Sequence, residues 1–288
     1  MDFSPPALFA CRNVFFCAAN AHDRLQDGLA RPIDMMIVDL EDEIRAGGKA
    51  AAREAMIGTL GHVQSDRKIF VRTNSVRSDW IDDDLKAVAR LRQIDGVVIP
   101  KVETQADLMS ATAQLTRNGL GALPVVAVIE SPLAVLNLAE IIAAQANLSG
   151  FTMGPFDLTR AIGGVREDDA GVVLSARVSA LTAARARGIA AIDGPVNRAL
   201  SDADKRAAFE RARALGFDGK IFTRFEDGEE ILKIFSPGAN DVALAREIVA
   251  AFSAAGERQS ISLSGGATVD RCNLVWSQRV LINSARPA

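Results

Sequence analysis

Eight short apolar runs recur along the chain, and this recurrence constrains the fold more than any other feature of the sequence. Each run has four or five residues, and a stretch with helical spacing follows most of them. Most runs start about 25–35 residues apart, the length of one strand, one helix and two loops in a β-α-β crossover. The runs are Val14–Cys17, Met35–Asp39, Ile69–Arg72, Gly96–Ile99, Val125–Ile129, Gly150–Met153, Ile189–Ile192 and Gly219–Phe222.

Eight such units on about 250 residues predict an α/β fold, the (β/α)8 TIM barrel. A doubly wound open sheet is the alternative. No Gly-x-Gly-x-x-Gly turn follows a strand, which counts against the dinucleotide-binding form of that sheet. In one predicted helix, Ser201 supplies the cap and Gly216 the stop. The predicted helices are Lys49–Leu60, Asp82–Arg92, Gln105–Thr116, Val135–Ala146 and Asp202–Leu215.

The repeating pattern stops at Ser236-Pro237-Gly238. We therefore divide the chain into a barrel over residues 1–235 and a C-terminal extension over residues 236–288. Within the extension, predicted helices over Asn240–Ala255 and Asn273–Ser284 flank a loop or short hairpin. The extension is expected either to cap the barrel or to reach a neighbouring subunit.

Composition excludes several classes of function. The chain is 49% hydrophobic and 24% charged with a net charge of −3, so it has no basic footprint for nucleic acid or a membrane surface. No apolar run approaches the ~20 residues of a membrane span, and the N-terminal residues lack a signal-peptide pattern. Three cysteines without metal-like spacing fit reduced thiols, so we expect a cytoplasmic protein. With His22 and His62 as its two histidines, the chain is a poor candidate for multi-histidine metal sites.

Two carboxylates follow neighbouring strands at the predicted carboxyl end of the barrel, where barrel enzymes carry their active sites. Glu130 directly follows the fifth run, and Asp157 comes soon after the sixth. Hard oxygen ligands without nearby Cys or His suit Mg²⁺, which would polarise a carbonyl and stabilise an enolate. The structural alternatives are a helix-dipole partner for Glu130 and a helix cap for Asp157. The pair predicts a magnesium site.

Other polar groups join this end of the barrel. Arg72 can clamp a carboxylate or enolate oxygen through two hydrogen bonds, and a salt bridge to Glu41 or Asp42 is compatible with that role. Lys101 is interpreted as a charged structural lysine rather than a Schiff-base nucleophile, because carboxylates surround it. The Gly154-Pro155-Phe156 turn at a helix start suits a substrate carboxylate. The set predicts metal-dependent chemistry on a small oxo- or hydroxy-acid.

Eight stretches of the sequence match one known family in its own order. They span roughly residues 12 to 285 and read MMIVDLEDEIRAGGKAAAREA, IFVRTNS, GVVIPKVET, VVAVIES followed by VLNLAEI, GFTMGPFDL, AARARGIAAIDGP, ALGFDGKIF and FSPGANDVALAREIVAAF. The chain resembles the citrate lyase β-subunit-like proteins of the HpcH/HpaI aldolase superfamily. This resemblance implies a TIM barrel that uses Mg²⁺ to cleave or form a carbon–carbon bond of a β-hydroxyacyl thioester. The acyl group would be carried on coenzyme A (CoA) or an acyl carrier protein.

The resemblance also implies roles for individual residues. Glu130 and Asp157 would be the metal ligands. Arg72 would stabilise the oxo-acid and enolate oxygens, and Glu41 and Asp42 would reach metal-bound waters.

Asp270 lies in the segment Gly265–Asp270, which resembles a family motif near the C-terminus. The resemblance implies that Asp270 is an acid or base at the acyl carbon or substrate hydroxyl, in its own or a neighbouring subunit. A solvated residue that caps the last helix is the alternative. The resemblance further implies a homo-oligomer, a trimer or a hexamer.

Three stretches depart from the family pattern. The usual Ile-Glu-Thr-Ala-x-Gly after strand five is Ile129–Ala134, with a proline at position 132 and no glycine. The usual Ile-His-Pro-x-Gln after strand eight is Ile221–Phe225, without the histidine and proline. The first strand leads into Cys17–Asn20 instead of a turn with proline and glycine. These positions border the thioester side of the pocket, so we expect the carrier or the acyl group to differ from that of common members.

We therefore expect a Mg²⁺-dependent carbon–carbon lyase that cleaves a citramalyl-, malyl- or citryl-CoA type of 3-hydroxyacyl thioester into an oxo-acid and an acyl thioester. One alternative is a class II-type aldolase on free hydroxy-oxo acids, which typically uses a catalytic histidine. Neither His22 nor His62 stands at a predicted strand end. Another alternative is a non-catalytic oxo-acid-binding homologue, which the altered strand-eight motif favours.

Overall fold

Eight parallel strands close into a barrel in the computed structural model, which describes residues 7–144, 147–164, 171–256 and 258–285. The strands follow one another around the barrel in chain order. They are β1 (Asn13–Ala18), β2 (Met35–Asp39), β3 (Lys68–Arg72), β4 (Gly96–Ile99), β5 (Val125–Ile129), β6 (Leu148–Met153), β7 (Ala190–Asp193) and β8 (Gly219–Phe222). The predicted TIM barrel is confirmed.

The pairing of β1 with β8 closes the barrel and excludes an open sheet. Asn13 is opposite Lys220, and Phe15 is opposite Phe222. Strands of a closed parallel barrel are covered by helices outside and by side chains inside, so both of their faces are buried. This explains why the strands appear in the sequence as continuous apolar runs instead of alternating ones.

Helices cover the outside of the barrel. Their bounds are α1 (His22–Ala30), α2 (Lys49–Leu60), α3 (Ile81–Val88), α4 (Gln105–Arg117), α5 (Pro132–Leu136), α6 (Leu138–Ala143), α7 (Pro155–Ile162), α8 (Gly171–Arg187), α9 (Asp202–Leu215) and α10 (Phe225–Phe235). The Ser201 side chain caps α9, and the helix stops at Gly216, which has a φ of 104°. In the described ranges, no helix combines the length and apolarity of a membrane span.

Two helices differ from their predicted extents by more than two residues. The helix after β3 ends at Val88 instead of Arg92. The helix predicted over 135–146 is replaced by α5 and α6, which meet at Asn137, and residues 145 and 146 lie outside the described ranges. The Asn137 side chain donates to the carbonyl oxygen of Glu103 at 2.9 Å. Such side-chain bonds to the backbone compete with helix continuation.

The apolar core has two layers on either side of the strands. The inner layer fills the barrel and includes Val14, Ile37, Phe70 and Val126. The outer layer lies between the strands and the helices. Together the layers hold the strands in a rigid ring, which fixes the positions of the residues that follow each strand.

The C-terminal extension forms α11 (Ala239–Ala255), a hairpin of β9 (Ser260–Ser262) and β10 (Thr268–Asp270), and α12 (Arg271–Ser284). The predicted helices and the hairpin are confirmed. Their own apolar cluster contains Ile248, Phe252, Ile261 and Leu263. Helix α12 contacts the 3-10 turn over Ala7–Ala10, and the Asn283 carbonyl accepts a 3.5 Å bond from Arg12. The extension therefore contacts the chain just before β1, at the amino-terminal end of the barrel.

Candidate active site

A cavity of about 480 Å³ opens at the carboxyl ends of the strands. Its floor is made by barrel-interior side chains such as Ile37 and Val128, and its wall by the residues that follow the strands. The wall contains most of the residues that the sequence singled out. These are Asp42, Arg72, Glu130, Gly154, Pro155, Phe156 and Asp157.

Arg72 is fixed in the cavity wall by two carboxylates and one ring. Its Nε donates to Asp39 Oδ1 at 2.6 Å, and its Nη1 lies 3.3 Å from Glu41 Oε2. The guanidinium carbon lies 4.7 Å from the centroid of the Phe16 ring. Burial disfavours the charged guanidinium, but the Asp39 carboxylate outweighs burial and raises the pKa of Arg72. Arg72 therefore forms the expected salt bridge to Glu41 while it lines the cavity as a permanent cation.

Lys101 lies between Glu41 and Asp42. Its Nζ is 2.5 Å from Glu41 Oε1 and 3.4 Å from Asp42 Oδ1. Burial raises the pKa of Glu41, although Arg72 and Lys101 oppose that rise. Burial alone would also raise the pKa of Asp42, but Lys101 and Arg72 hold it below its ordinary value. The two carboxylates in turn outweigh burial and raise the pKa of Lys101, which favours a charged ion-pair partner over a Schiff-base nucleophile.

Glu130 is buried, with 5% of its surface exposed. Its Oε1 accepts a 2.7 Å hydrogen bond from the Lys101 backbone N–H. Burial raises the pKa of Glu130 to about 7, and the charges of Glu41 and Asp157 add to the rise. A buried carboxyl in this state gains strongly from a bound cation, because a cation replaces the lost water as the partner of the charge.

Gly154 packs directly against Glu130. A Cβ at position 154 would lie 2.4 Å from Glu130 Cβ and 2.6 Å from Oε2, which only glycine avoids. Helix α7 starts at Pro155, so Asp157 lies within its first turn and is not its cap. The expected alternative, in which Asp157 caps a helix from residue 158, is wrong because the helix starts earlier. The Asp157 side chain is 40% exposed and pairs with Arg160 at 3.3 Å.

Glu130 and Asp157 line the same cavity, and the charge of Asp157 adds to the rise in the pKa of Glu130. Among the residues that the structure describes, no three His, Cys, Asp or Glu side chains form a metal-binding group. In many enzymes Mg²⁺ is bound by two carboxylates, and water and substrate oxygens fill its other coordination positions. The residues present fit a hard divalent cation.

The β7–β8 side of the cavity carries a different set of groups, and sequence reasoning missed most of them. Arg198 and Thr223 line the wall, and Arg198 Nε donates to Thr223 Oγ1 at 3.1 Å. Arg24 in α1 donates to the backbone oxygen of Thr223. The two arginines give no signal in the sequence, because only the fold brings Arg24 of α1 and Arg198 of the loop after β7 to one residue. The altered strand-eight motif was the one available indication.

Asp270 does not line this cavity. It ends β10 and precedes α12, its side chain is exposed, and its backbone N–H donates to Asn273 Oδ1 at 2.9 Å. Within one chain Asp270 is therefore a residue at a helix start. Its role as an acid or base, in its own or a neighbouring subunit, stays a prediction.

Comparison with protein families agrees with this geometry. The model for the family described as HpcH/HpaI aldolase/citrate lyase matches residues 12–224. The chain belongs to the HpcH/HpaI aldolase/citrate lyase family. A relative from Cereibacter sphaeroides (strain ATCC 17029 / ATH 2.4.9), named (3S)-malyl-CoA thioesterase, is 32% identical over 272 residues, covering 94% of this chain and 93% of the relative. The citrate lyase subunit beta of Escherichia coli (strain K12) is 32% identical over 285 residues, covering 93% and 92%.

A solved structure shares nearly the whole fold. It is CitE from Mycobacterium tuberculosis in complex with magnesium, acetoacetate and coenzyme A, with a TM-score of 0.75 and 27% identity. The match covers 96% of this chain and 99% of that chain, so the likeness extends beyond the barrel into the C-terminal extension. The resemblance to citrate lyase β-subunit-like proteins, first seen in short motifs, is confirmed.

Proposed function

We propose that the protein is a Mg²⁺-dependent carbon–carbon lyase. Its substrate would be a 3-hydroxyacyl thioester of the citramalyl-, malyl- or citryl-CoA type, cleaved into an oxo-acid and an acyl thioester. One observation carries the proposal: the buried carboxyl of Glu130 and the carboxyl of Asp157 line the same cavity as Arg72, a fixed cation. The M. tuberculosis neighbour, crystallised with magnesium and coenzyme A, supports the metal and the carrier.

Glu130 and Asp157 would hold the Mg²⁺ ion, which supplies a Lewis acid for the carboxylate and hydroxyl oxygens of the substrate. Glu41 and Asp42 would hold water molecules around that ion. The first turn of α7, at Gly154-Pro155-Phe156, would bind the substrate carboxylate at the positive end of the helix.

Cleavage needs one proton removed and one returned. Loss of the proton on the 3-hydroxyl turns its oxygen into the carbonyl of the oxo-acid, and the electron pair of the broken carbon–carbon bond forms the enolate of the acyl thioester. A proton then adds to the enolate carbon. Arg72 would stabilise the negative charge on oxygen as the bond breaks, because it is already fixed there as a cation. Asp270 from a second chain would act at one of the two proton transfers.

A turnover screen with malyl-, citramalyl- and citryl-CoA tests this function, with released oxo-acid and released thiol measured separately. We expect oxo-acid release that EDTA abolishes and Mg²⁺ restores. Glu130→Gln and Asp157→Asn should each lower kcat/KM by at least about 100-fold. The matched control is Asp82→Asn on the exposed first turn of α3. Full activity in Asp157→Asn would contradict the assignment of Asp157 as a metal ligand. Release of thiol without oxo-acid would show that the reaction is thioester hydrolysis.

A non-catalytic oxo-acid-binding protein is the second candidate, favoured by Phe222-Thr223 in place of the usual histidine and proline. Binding of pyruvate or oxaloacetate without turnover of any of the three thioesters would support it. The histidine-dependent aldolase is disfavoured by the structure. His22 bonds to Thr59 Oγ1 at 2.9 Å, and neither His22 nor His62 lines the cavity.

A further inference from the structure

Two arginines converge on Thr223 at the edge of the cavity, and the proposed cleavage leaves both unused. Arg24 reaches from α1 to the backbone oxygen of Thr223, and Arg198 reaches from the loop after β7 to its hydroxyl at 3.1 Å. Each contact occupies one donor of a guanidinium that has five. Both cations are therefore held next to one residue with donors to spare.

Neither arginine has an ion-pair partner in the described part of the chain. Arg24 instead lies over the rings of Phe15 and Phe225, 5.5 Å from each centroid. Arg72, by contrast, forms ion pairs with two buried carboxylates, those of Asp39 and Glu41. Two like charges fixed beside one residue repel each other, and an oxyanion that accepts hydrogen bonds from both would remove that repulsion.

The carboxylates of the cavity wall also lie on a different side from Arg198. The carboxylates in its wall, Asp42, Glu43, Glu130 and Asp157, follow β2, β5 and β6, whereas Arg198 follows β7. A substrate held by its oxo-acid end at Glu130 and Asp157 would extend its other end toward β7 and β8. That end is where this chain has Phe222 and Thr223 instead of the usual histidine and proline, and the Thr223 hydroxyl accepts the hydrogen bond that orients Arg198.

We propose that Arg24 and Arg198 form an oxyanion-binding subsite for the anionic group at the acyl end of the substrate. The group is a carboxylate of a free hydroxy-acid or a phosphate of the acyl carrier, which present the same acceptor oxygens to the guanidinium groups. The inference rests on the proposed function for the direction in which the substrate lies. The subsite itself is tested by binding alone, so failure of the lyase reaction leaves the test intact.

The decisive experiment compares two small hydroxy-acids that differ only at the far end. Citramalate carries a second carboxylate there, and 2-hydroxyisobutyrate carries none. In calorimetric titrations with Mg²⁺ present, Arg198→Gln and Arg24→Gln should each weaken citramalate binding about tenfold or more and leave 2-hydroxyisobutyrate unchanged. Arg187→Gln, at the exposed end of α8, is the matched control and should change neither.

Titration of coenzyme A with the same variants separates the two sources of the anion. Weaker coenzyme A binding with unchanged citramalate binding would assign the subsite to a carrier phosphate, and the reverse would assign it to a carboxylate. If both variants bind citramalate and coenzyme A as the wild type does, the subsite does not exist. Equal weakening of citramalate and 2-hydroxyisobutyrate would also overturn it, because the far carboxylate would then have no partner. Circular dichroism confirms that each variant is folded.

Discussion

Lys101 has a strained backbone conformation that places both its backbone N–H and its ammonium group in the candidate site. Its φ of 55° lies in the left-handed region, and among the described residues no other non-glycine has a positive φ. This conformation turns the backbone N–H toward Glu130, at 2.7 Å, while the ammonium reaches Glu41. A strained backbone conformation persists where many surrounding contacts hold it in place.

Replacing Lys101 by glycine and by alanine separates the backbone from the ammonium group. Both variants lose the ammonium, so the difference between them reports the left-handed conformation alone. We expect Lys101→Gly to be more stable than Lys101→Ala by about 1–2 kcal/mol in urea unfolding. The same pair at Lys86, within α3, should show the opposite order by up to about 1 kcal/mol. Equal stability of the two Lys101 variants would mean that the strain is absent.

Gly154→Ala tests the close packing on Glu130. The added methyl would occupy the space of the Glu130 side chain, so the carboxylate must move. We expect Mg²⁺ affinity, measured by calorimetry, to fall about tenfold or more. Gly47→Ala, where no atom lies within 4 Å of the new methyl, is the matched control. Unchanged Mg²⁺ affinity in Gly154→Ala would contradict the assignment of Glu130 as a ligand.

At the scale of residues, the sequence predicts those functional groups that lie at the ends of strands. Glu130 stands out because it directly follows a buried strand, and Asp157 because it comes within four residues of the end of the next strand. The requirement for glycine at 154 is not visible, because it depends on how closely β5 and β6 approach. Phe16 under Arg72 was missed for a similar reason, since a phenylalanine in a strand is ordinary core material until the fold places a cation over it.

At the scale of elements, a buried ion cluster ties α8 to β7 and β8. Asp193 lies 2.5 Å from Lys220 and 3.1 Å from Arg177, and all three side chains are buried. Burial alone would raise the pKa of Asp193, but Lys220 and Arg177 hold it below its ordinary value of 3.8. A depressed pKa stabilises the fold above that ordinary value, and the contribution is lost as the pH falls through the lower, folded-state value.

Lys220→Met should destabilise the protein by about 3–5 kcal/mol at neutral pH, because it leaves a buried carboxylate with one partner fewer. Without Lys220 the pKa of Asp193 rises, so the variant takes up a proton more easily. The difference in unfolding free energy should therefore shrink as the pH falls toward 4. Urea unfolding at several pH values measures it, with the exposed Lys233→Met as a control that stays within about 0.5 kcal/mol. A penalty independent of pH would show that Asp193 does not respond to Lys220.

Element boundaries are predictable where local chemistry sets them. Helix α9 has its predicted bounds because Ser201 and Gly216 act within one turn of its ends. The break between α5 and α6 was missed because the Asn137 side chain bonds to Glu103, which is distant in sequence. Tertiary contacts of this kind have no periodic signature.

At the scale of the whole molecule, the position of Asp270 outside the cavity of its own chain makes a test of assembly possible. We expect a trimer or hexamer in which the extension of one chain completes the site of another. Asp270→Asn and Asp157→Asn should each lose activity, because each removes one half of every site. Refolding the two inactive proteins together at equal amounts should restore about one quarter of wild-type activity, since random assembly pairs intact halves at that frequency.

Two mixtures decide the outcome of this experiment. Asp157→Asn refolded with Glu130→Gln should stay inactive, because both changes fall on the same half of the site. If Asp270→Asn and Asp157→Asn also stay inactive together while forming mixed oligomers, the shared site is excluded. Mass spectrometry of the intact oligomers shows whether mixing has occurred.

The topology of the molecule was predictable because eight repeats leave few ways to arrange parallel strands joined by helices. The packing of the extension against the segment before β1 could not be predicted. Its hairpin is short and polar, and the contacts between α12 and Ala7–Ala10 join the two ends of the chain, which no local pattern encodes.

The separation of the cavity wall into two sets of strands has a consequence for how such proteins diversify. The groups proposed for the chemistry lie at the ends of β3, β5 and β6, whereas two groups proposed for the acyl end, Arg198 and Thr223, follow β7 and β8. Because the barrel holds each strand end independently, substitutions in one set leave the geometry of the other unchanged. New substrates can therefore be selected by varying residues 195–199 and 223–225 alone. A library confined to those eight positions is the natural starting point for redesign.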